Sequence, residues 1–239
     1  MTINIIQSPT QTTTTAGTTA PCSFASLPST GNAVIVVLKT NSSGGAPHPT
    51  SIADNQSGNT YVNIQTQDGG GYPGATAIWW CPAIAAPSGT FTVTGTFGTV
   101  TASTEMLVEL YEVSGLAGTV DQSISTNDGG TGVKTATITN SSANTNANDL
   151  VMCAIVTGNN GVTGSLSTPT TGYTVLNATD GTSTFGECAN TAYKIVSAIE
   201  TSSATWSWAA IGSNSFYNAV LATFKAAGTA NTASIAWVT

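Results

Sequence analysis

The stretch from Ala77 to Val93 returns in altered form as Ala192 to Trp208, and this repetition constrains the fold more than any other feature of the chain. Ala83-Ile84 becomes Ala198-Ile199, Ser88 becomes Ser203, and Thr90-Phe91-Thr92-Val93 becomes Thr205-Trp206-Ser207-Trp208. Other pairs keep the same order: Gly31 to Val36 with Asn148 to Cys153, Ser57 to Val62 with Thr171 to Leu176, and Leu107 to Gly115 with Val220 to Gly228. Recurrence at an offset of about 115 residues is the signature of a repeated structural unit. The expected organisation is a first unit over 1–117, a second over 118–228 and a C-terminal tail over 229–239.

Within each unit, short runs of β-branched and aromatic residues alternate with clusters of Gly, Ser, Asn and Pro. Ala33 to Lys39, Thr76 to Cys81, Leu150 to Thr157 and Tyr217 to Phe224 are the strongest runs. This punctuation predicts an all-β chain. Ser103 to Glu112 has a cap-like start for a helix, but Met106, Val108 and Leu110 alternate with Glu105, Leu107, Glu109 and Tyr111, which predicts a strand. About eight strands per unit is the count of a jelly roll. The expected fold is therefore two tandem jelly-roll-like antiparallel β-sandwich units related by an internal duplication, with one large β-sandwich built from the two repeats as the alternative.

Charge narrows the function classes. Charged residues make up 6% of the 239 positions, with four lysines, no arginine and a net charge of −7. Binding to nucleic acid or to an anionic membrane depends on neutralising phosphates, and this chain has little to offer them. No apolar run reaches the ~20 residues that span a bilayer. The N-terminus, Met-Thr-Ile-Asn-Ile-Ile-Gln-Ser-Pro, lacks the basic and apolar regions of a secretory signal, so the chain is expected to stay in the cytoplasm where it is made. Cys22, Cys81, Cys153 and Cys188 show no C-x-x-C spacing and fall in apolar surroundings, which predicts free buried thiols.

No stretch carries a catalytic signature, and neither a cofactor nor a metal is expected. Glu105 and Glu109 share one strand face about 13 Å apart, too far for either glycosidase geometry, and read as part of a solvated sheet face. His48 is the only histidine, which leaves a zinc site or a Ser/His/Asp triad without support. Asp54-Asn55-Gln56-Ser57-Gly58-Asn59 has the oxygen-rich look of a calcium loop but supplies one carboxylate and reads as a turn. A depolymerising enzyme would need convergence among Asp54, Asp68, Glu105, Glu109 and Glu112.

The aromatic residues give the candidate contacts. Trp206 and Trp208 share a face with apolar counterparts and read as core. Trp79 and Trp80, adjacent on a strand, must face opposite sides, so one points inward and the other is exposed or covered by a neighbouring domain or subunit. Lys194 and Ile195 are their expected counterparts, which makes the pair particular to the first unit. An exposed tryptophan would suit a sugar ring or a protein interface. In the tail, Ile235 and Trp237 are expected to add to a sheet edge, on a neighbouring subunit, by backbone pairing.

Leu27-Pro28-Ser29-Thr30-Gly31-Asn32 before an apolar strand, Asp54 to Tyr61, and Glu112-Val113-Ser114-Gly115-Leu116 after a strand resemble segments of a group of β-sandwich proteins from bacteriophage virions and bacterial surfaces. In that group the last motif commonly reads Glu-Tyr-Ser-Gly; here Val113 replaces the tyrosine. The resemblance implies a non-enzymatic virion structural protein, a capsid decoration or cement protein in the first instance. A tail or fibre module that recognises a host glycan is the alternative. The implied partners are the major capsid protein or other virion proteins and further copies of this chain.

Overall fold

A computed structural model describes residues 2–7, 11–15, 18–41, 48–68, 74–98, 105–128, 133–158, 166–170, 172–179, 188–208 and 216–228. All the regular structure among them is β. The first unit contains β1 (Asn4–Gln7), β2 (Gln11–Thr15), β3 (Thr19–Ser23), β4 (Ala33–Asn41), β5 (Pro49–Asp54), β6 (Val62–Asp68), β7 (Ala75–Cys81), β8 (Thr92–Phe97) and β9 (Glu105–Ser114). The second contains β10 (Leu116–Asn127), β11 (Thr135–Thr139), β12 (Leu150–Gly158), β13 (Thr174–Thr179), β14 (Ala189–Ile195), β15 (Ser203–Ser207) and β16 (Phe216–Ala226).

These strands form four antiparallel sheets. A large sheet runs β1-β9-β4-β7-β6, with β2 also on β9, and a small sheet runs β3-β8-β5. The second unit has a large sheet β10-β16-β12-β14-β13 and a small pair β11-β15. The two large sheets thus share one strand order, with β10 standing where β1 and β2 stand. Beside β15, residues 166–170 occupy the place of β5, through Ser167 N–H to Ser207 O (2.9 Å) and Thr170 N–H to Thr205 O (3.1 Å). First strand against last, with the other strands nested between, is jelly-roll ordering. β6 and β13 depart from it by joining the large sheets.

Packing among the described residues gives three large cores and a small cluster of Leu107, Val156 and Ala189. Along β4, Val34, Val36 and Leu38 face the small sheet and pack with Cys22, Phe91 and Val93. In the second unit Val151, Cys153 and Ile155 do the same with Ile138, Ala204 and Trp206. The opposite rows, Ala33, Ile35 and Val37 on β4 and Leu150, Met152 and Ala154 on β12, meet each other in a central core with Ile78, Trp80, Val220 and Phe224. Strands buried on both faces read as continuous apolar runs, as β4 and β12 do. Each fully buried Val, Ile or Phe contributes about 1.5–3 kcal/mol, so the central core is comparable in weight to the outer ones. Each unit closes its own sandwich, and the two sandwiches are then joined back to back by their large sheets.

β9 ends at Ser114 and β10 begins at Leu116, with Gly115 alone between them. Gly115 has φ +80°, and a Cβ there would sit 2.5 Å from Thr2 O, so no other residue fits this reversal without moving the N-terminal segment.

The register differs from the expected repeat. Val34 pairs with Cys81, and its counterpart Val151 pairs with Lys194, so Trp79 and Trp80 correspond to Ala192 and Tyr193. Likewise Phe97 N–H bonds to Thr18 O as Trp208 N–H bonds to Lys134 O, which aligns Trp208 with Phe97 and Trp206 with Gly95. The slips are by even numbers of residues. They leave each side chain on its face, because the strand period is two, and so escape a reading of pattern alone. At Gly95 a Cβ would lie 3.2 Å from both Leu38 and Phe97, so the space that Trp206 fills in the second unit is already taken in the first.

Candidate functional site

Trp79 and Trp80 do face opposite sides of β7. Trp80 lies in the central core, 4% exposed, with its ring 5.0 Å from that of Phe224 in the second unit. The covering neighbour is therefore the other half of the same chain. Trp79 is half-buried against the first outer core beside Tyr61, and its indole N–H is buried without a hydrogen bond among the described residues. Ile235 and Trp237 lie outside the described residues.

The carboxylates of β9 overturn the expectation of a solvated face. Glu105, Glu109 and Glu112 are all buried: Glu105 and Glu109 lie on the face that meets the second large sheet, whereas Glu112, on the opposite face, is covered by Gln7 and the loop before β4. Glu112 organises the loop before β4: its Oε1 accepts from Ser29 N–H (2.7 Å) and Asn32 Nδ2 (2.6 Å), and its Oε2 from Gln7 Nε2 (2.6 Å). In the second unit Asp149 ties strand ends in a related way, its Oδ1 accepting from Ala226 N–H (2.9 Å).

Glu109 is the centre of the only fully buried ion pair among the described residues. Lys39 Nζ donates to Glu109 Oε1 at 2.5 Å and to Thr191 Oγ1 at 2.5 Å. Asn177 Nδ2 donates to the same Oε1 at 3.0 Å, and the Tyr111 hydroxyl donates to Oε2 at 2.7 Å. Sheet register explains the meeting. Glu109 is paired directly with Val37, so Lys39 is its diagonal neighbour on the same face, while Asn177 and Thr191 are paired across β13 and β14. The cluster therefore draws two residues from each unit besides Tyr111. Burial lowers the pKa of Lys39, partly offset by the charge and hydrogen bond of Glu109. Burial, and then the neighbouring Glu109, hold the Tyr111 hydroxyl well above its ordinary range.

The sequence reading missed this cluster. The available signal was that β4 and β9 are apolar on both faces yet carry one lysine and one mid-strand glutamate, and a doubly covered strand leaves such a pair no solvent to reach. Asn177 and Thr191 had no comparable signal, since their neighbourhood depends on how the two sandwiches dock.

Glu105, four residues nearer the start of β9, has a buried Oε2 with no hydrogen bond among the described residues. Burial raises its pKa from 4.5 to about 7. The folded state thus prefers the protonated acid: its stability advantage is full below the ordinary glutamate range and is lost as pH rises through about 7. Thermal melts at about pH 5 and about pH 8 should show a larger loss for the wild-type chain than for Glu105→Gln, which cannot ionise.

Other candidates resolve into structural roles. Asp54 accepts from Gln56 N–H (2.9 Å), Asn59 Nδ2 (2.8 Å) and the Tyr61 hydroxyl (2.9 Å), which closes the loop on itself as a turn. His48 Nδ1 is 3.5 Å from Asp68 Oδ2, and both side chains are about half exposed. Asp54 and Asp68 lie at opposite ends of the first sandwich, so the five carboxylates considered for depolymerisation do not converge. The four cysteines are buried thiols that are not joined in disulfides. Among the described residues no group of three His, Cys, Asp or Glu side chains could hold a metal ion. No protein-family model matches the chain, and no curated protein or solved structure matches it.

Proposed function

We propose that this chain is a non-enzymatic structural protein of a bacteriophage virion, specifically a capsid decoration or cement protein that binds the major capsid protein and other copies of itself. The observation that carries the reading is where the acidic groups are spent. Glu109, Glu112, Asp54 and Asp149 each hold strands or loops of the same chain together, and none is left in a shared cleft. What the described residues leave outside is largely Thr, Ser and Asn, with Ile6, Leu27, Val62, Ile195 and Ile199 exposed among them, which suits contact with other proteins. The shared strand order of the two large sheets is, in the same reading, the trace of an internal duplication.

A host-glycan site on the Trp79-Trp80 pair forms no part of this proposal, because Trp80 is covered by Phe224 and Trp79 packs inward. The test is protein mass spectrometry and antibody labelling of gradient-purified particles. Stoichiometric labelling of the shell is the expected result. Absence of the chain from the particles would end the proposal, and labelling confined to the tail would replace decoration with host recognition.

A further inference from the structure

The virion reading takes Glu109 only as a tie between strands, but the chemistry of the Lys39–Glu109–Asn177 cluster is more specific than that. An amine, a carboxyl group and a carboxamide meet inside the protein, with both nitrogens within hydrogen-bond reach of one carboxylate oxygen, at 2.5 Å and 3.0 Å. We propose that Lys39 and Asn177 become joined, after folding, by an intramolecular isopeptide bond, with Glu109 as the catalytic proton carrier.

The step balances without any added reactant. Lys39 first gives a proton to Glu109, which leaves the unprotonated amine needed for attack. Burial favours that exchange, since desolvation depresses the pKa of Lys39 and two neutral groups are cheaper to keep out of water than two ions. Glu109, now an acid, donates to the carboxamide oxygen of Asn177 once the amide has turned to present it, and polarises the carbonyl carbon. Which end of the amide faces Glu109 is a matter of the protonation state, because the carboxylate selects the NH2 end and the acid selects the oxygen. The bond from Lys39 Nζ to Asn177 Cγ forms and the bond from Cγ to Nδ2 breaks. The proton released by the amine passes through Glu109 to the departing nitrogen, which leaves as ammonium, and Glu109 returns to its carboxylate.

The surroundings favour the reaction. Lys39, Glu109, Tyr111 and Thr191 are fully buried and Asn177 is half-buried against Glu109, so packed strands hold the three reacting groups together rather than chance encounter. The Tyr111 hydroxyl fixes the far oxygen of Glu109 and the Thr191 hydroxyl oxygen accepts from Lys39, which orients both. Asn177 is on the edge strand β13 and half-buried, so ammonia has a short way out. The product would staple β4 of the first sandwich to β13 of the second across the central core. Such a bond would resist the separation of the two units even after their packing is lost, since it closes a long loop in the unfolded chain.

Intact-mass spectrometry of the full-length chain tests the proposal. The expected mass is that of the sequence less one ammonia, and digestion should yield a branched peptide joining the segments around Lys39 and Asn177. Glu109→Gln is expected to show the full mass. Asn177→Asp is expected to lose one water instead and reach the same final mass as the linked wild type. An unchanged wild-type mass would overturn the proposal, and so would ammonia loss that persists in Lys39→Met, or water loss mapped to a Lys39–Glu109 amide. Should Glu109→Gln fail to fold, the presence or absence of the branched wild-type peptide still decides. This outcome is independent of whether the chain is found on particles.

Discussion

Trp206→Ala is expected to destabilise the chain by about 3–5 kcal/mol, at the upper end of what a single core truncation does. Trp206 is completely buried, on a strand of the two-stranded sheet β11-β15, and it is among the largest side chains closing the second outer core. That small sheet has one neighbouring strand and a short flanking segment, so it has little means of collapsing into the space left behind. The indole N–H also donates to Asn190 Oδ1 at 3.1 Å, and removing it leaves a buried acceptor unpaired. For a chain of this size the cost corresponds to a drop in melting temperature of about 6–20 °C. Trp206→Phe keeps most of the packing and loses the hydrogen bond, at about 1–3 kcal/mol. Urea or thermal unfolding of the three proteins checks the order; an alanine variant that melts with the wild type would mean that the outer core is far looser than its burial implies.

The second large effect concerns charge. Glu109→Leu leaves Lys39 as an uncompensated buried amine and leaves the Tyr111 and Asn177 donors without their acceptor, which is expected to cost about 3–5 kcal/mol. Adding Lys39→Met to Glu109→Leu should restore most of this, because a buried ion pair replaced as a whole by apolar residues of similar size is often neutral in stability. Neither variant can form a Lys39 amide through Glu109, so the comparison between them isolates the buried charge. Equal stability of the single and double variants would show that Lys39 reaches solvent, contrary to its complete burial.

The all-β class and most core residues were legible in the sequence, because they rest on local rules. β-branched runs between Gly, Asn and Pro clusters make strands, and period-two alternation assigns faces whatever lies beyond them. Gly31 at φ +85° and Asn148 at φ +69°, each just before an apolar strand, both take the left-handed backbone conformation that Gly and Asn accept most readily. Trp206 and Trp208 fell correctly to the core for the same reason, although their counterparts are Gly95 and Phe97 rather than Phe91 and Val93. A slip of two or four residues changes partners but not faces.

What the sequence by itself determined, then, is which residues form strands and which rows of side chains avoid water. Only the tertiary structure decided what covers each row. The charged positions of β9 looked solvated because a strand's pattern states that a face exists and not what meets it; the second large sheet turns that face into an interior. The same docking places Trp80 under Phe224 and brings Lys39, Glu109, Thr191 and Asn177 to one point. These contacts join positions far apart along the chain, and their geometry is set by the packing of two whole sheets, a property that no local window of residues contains.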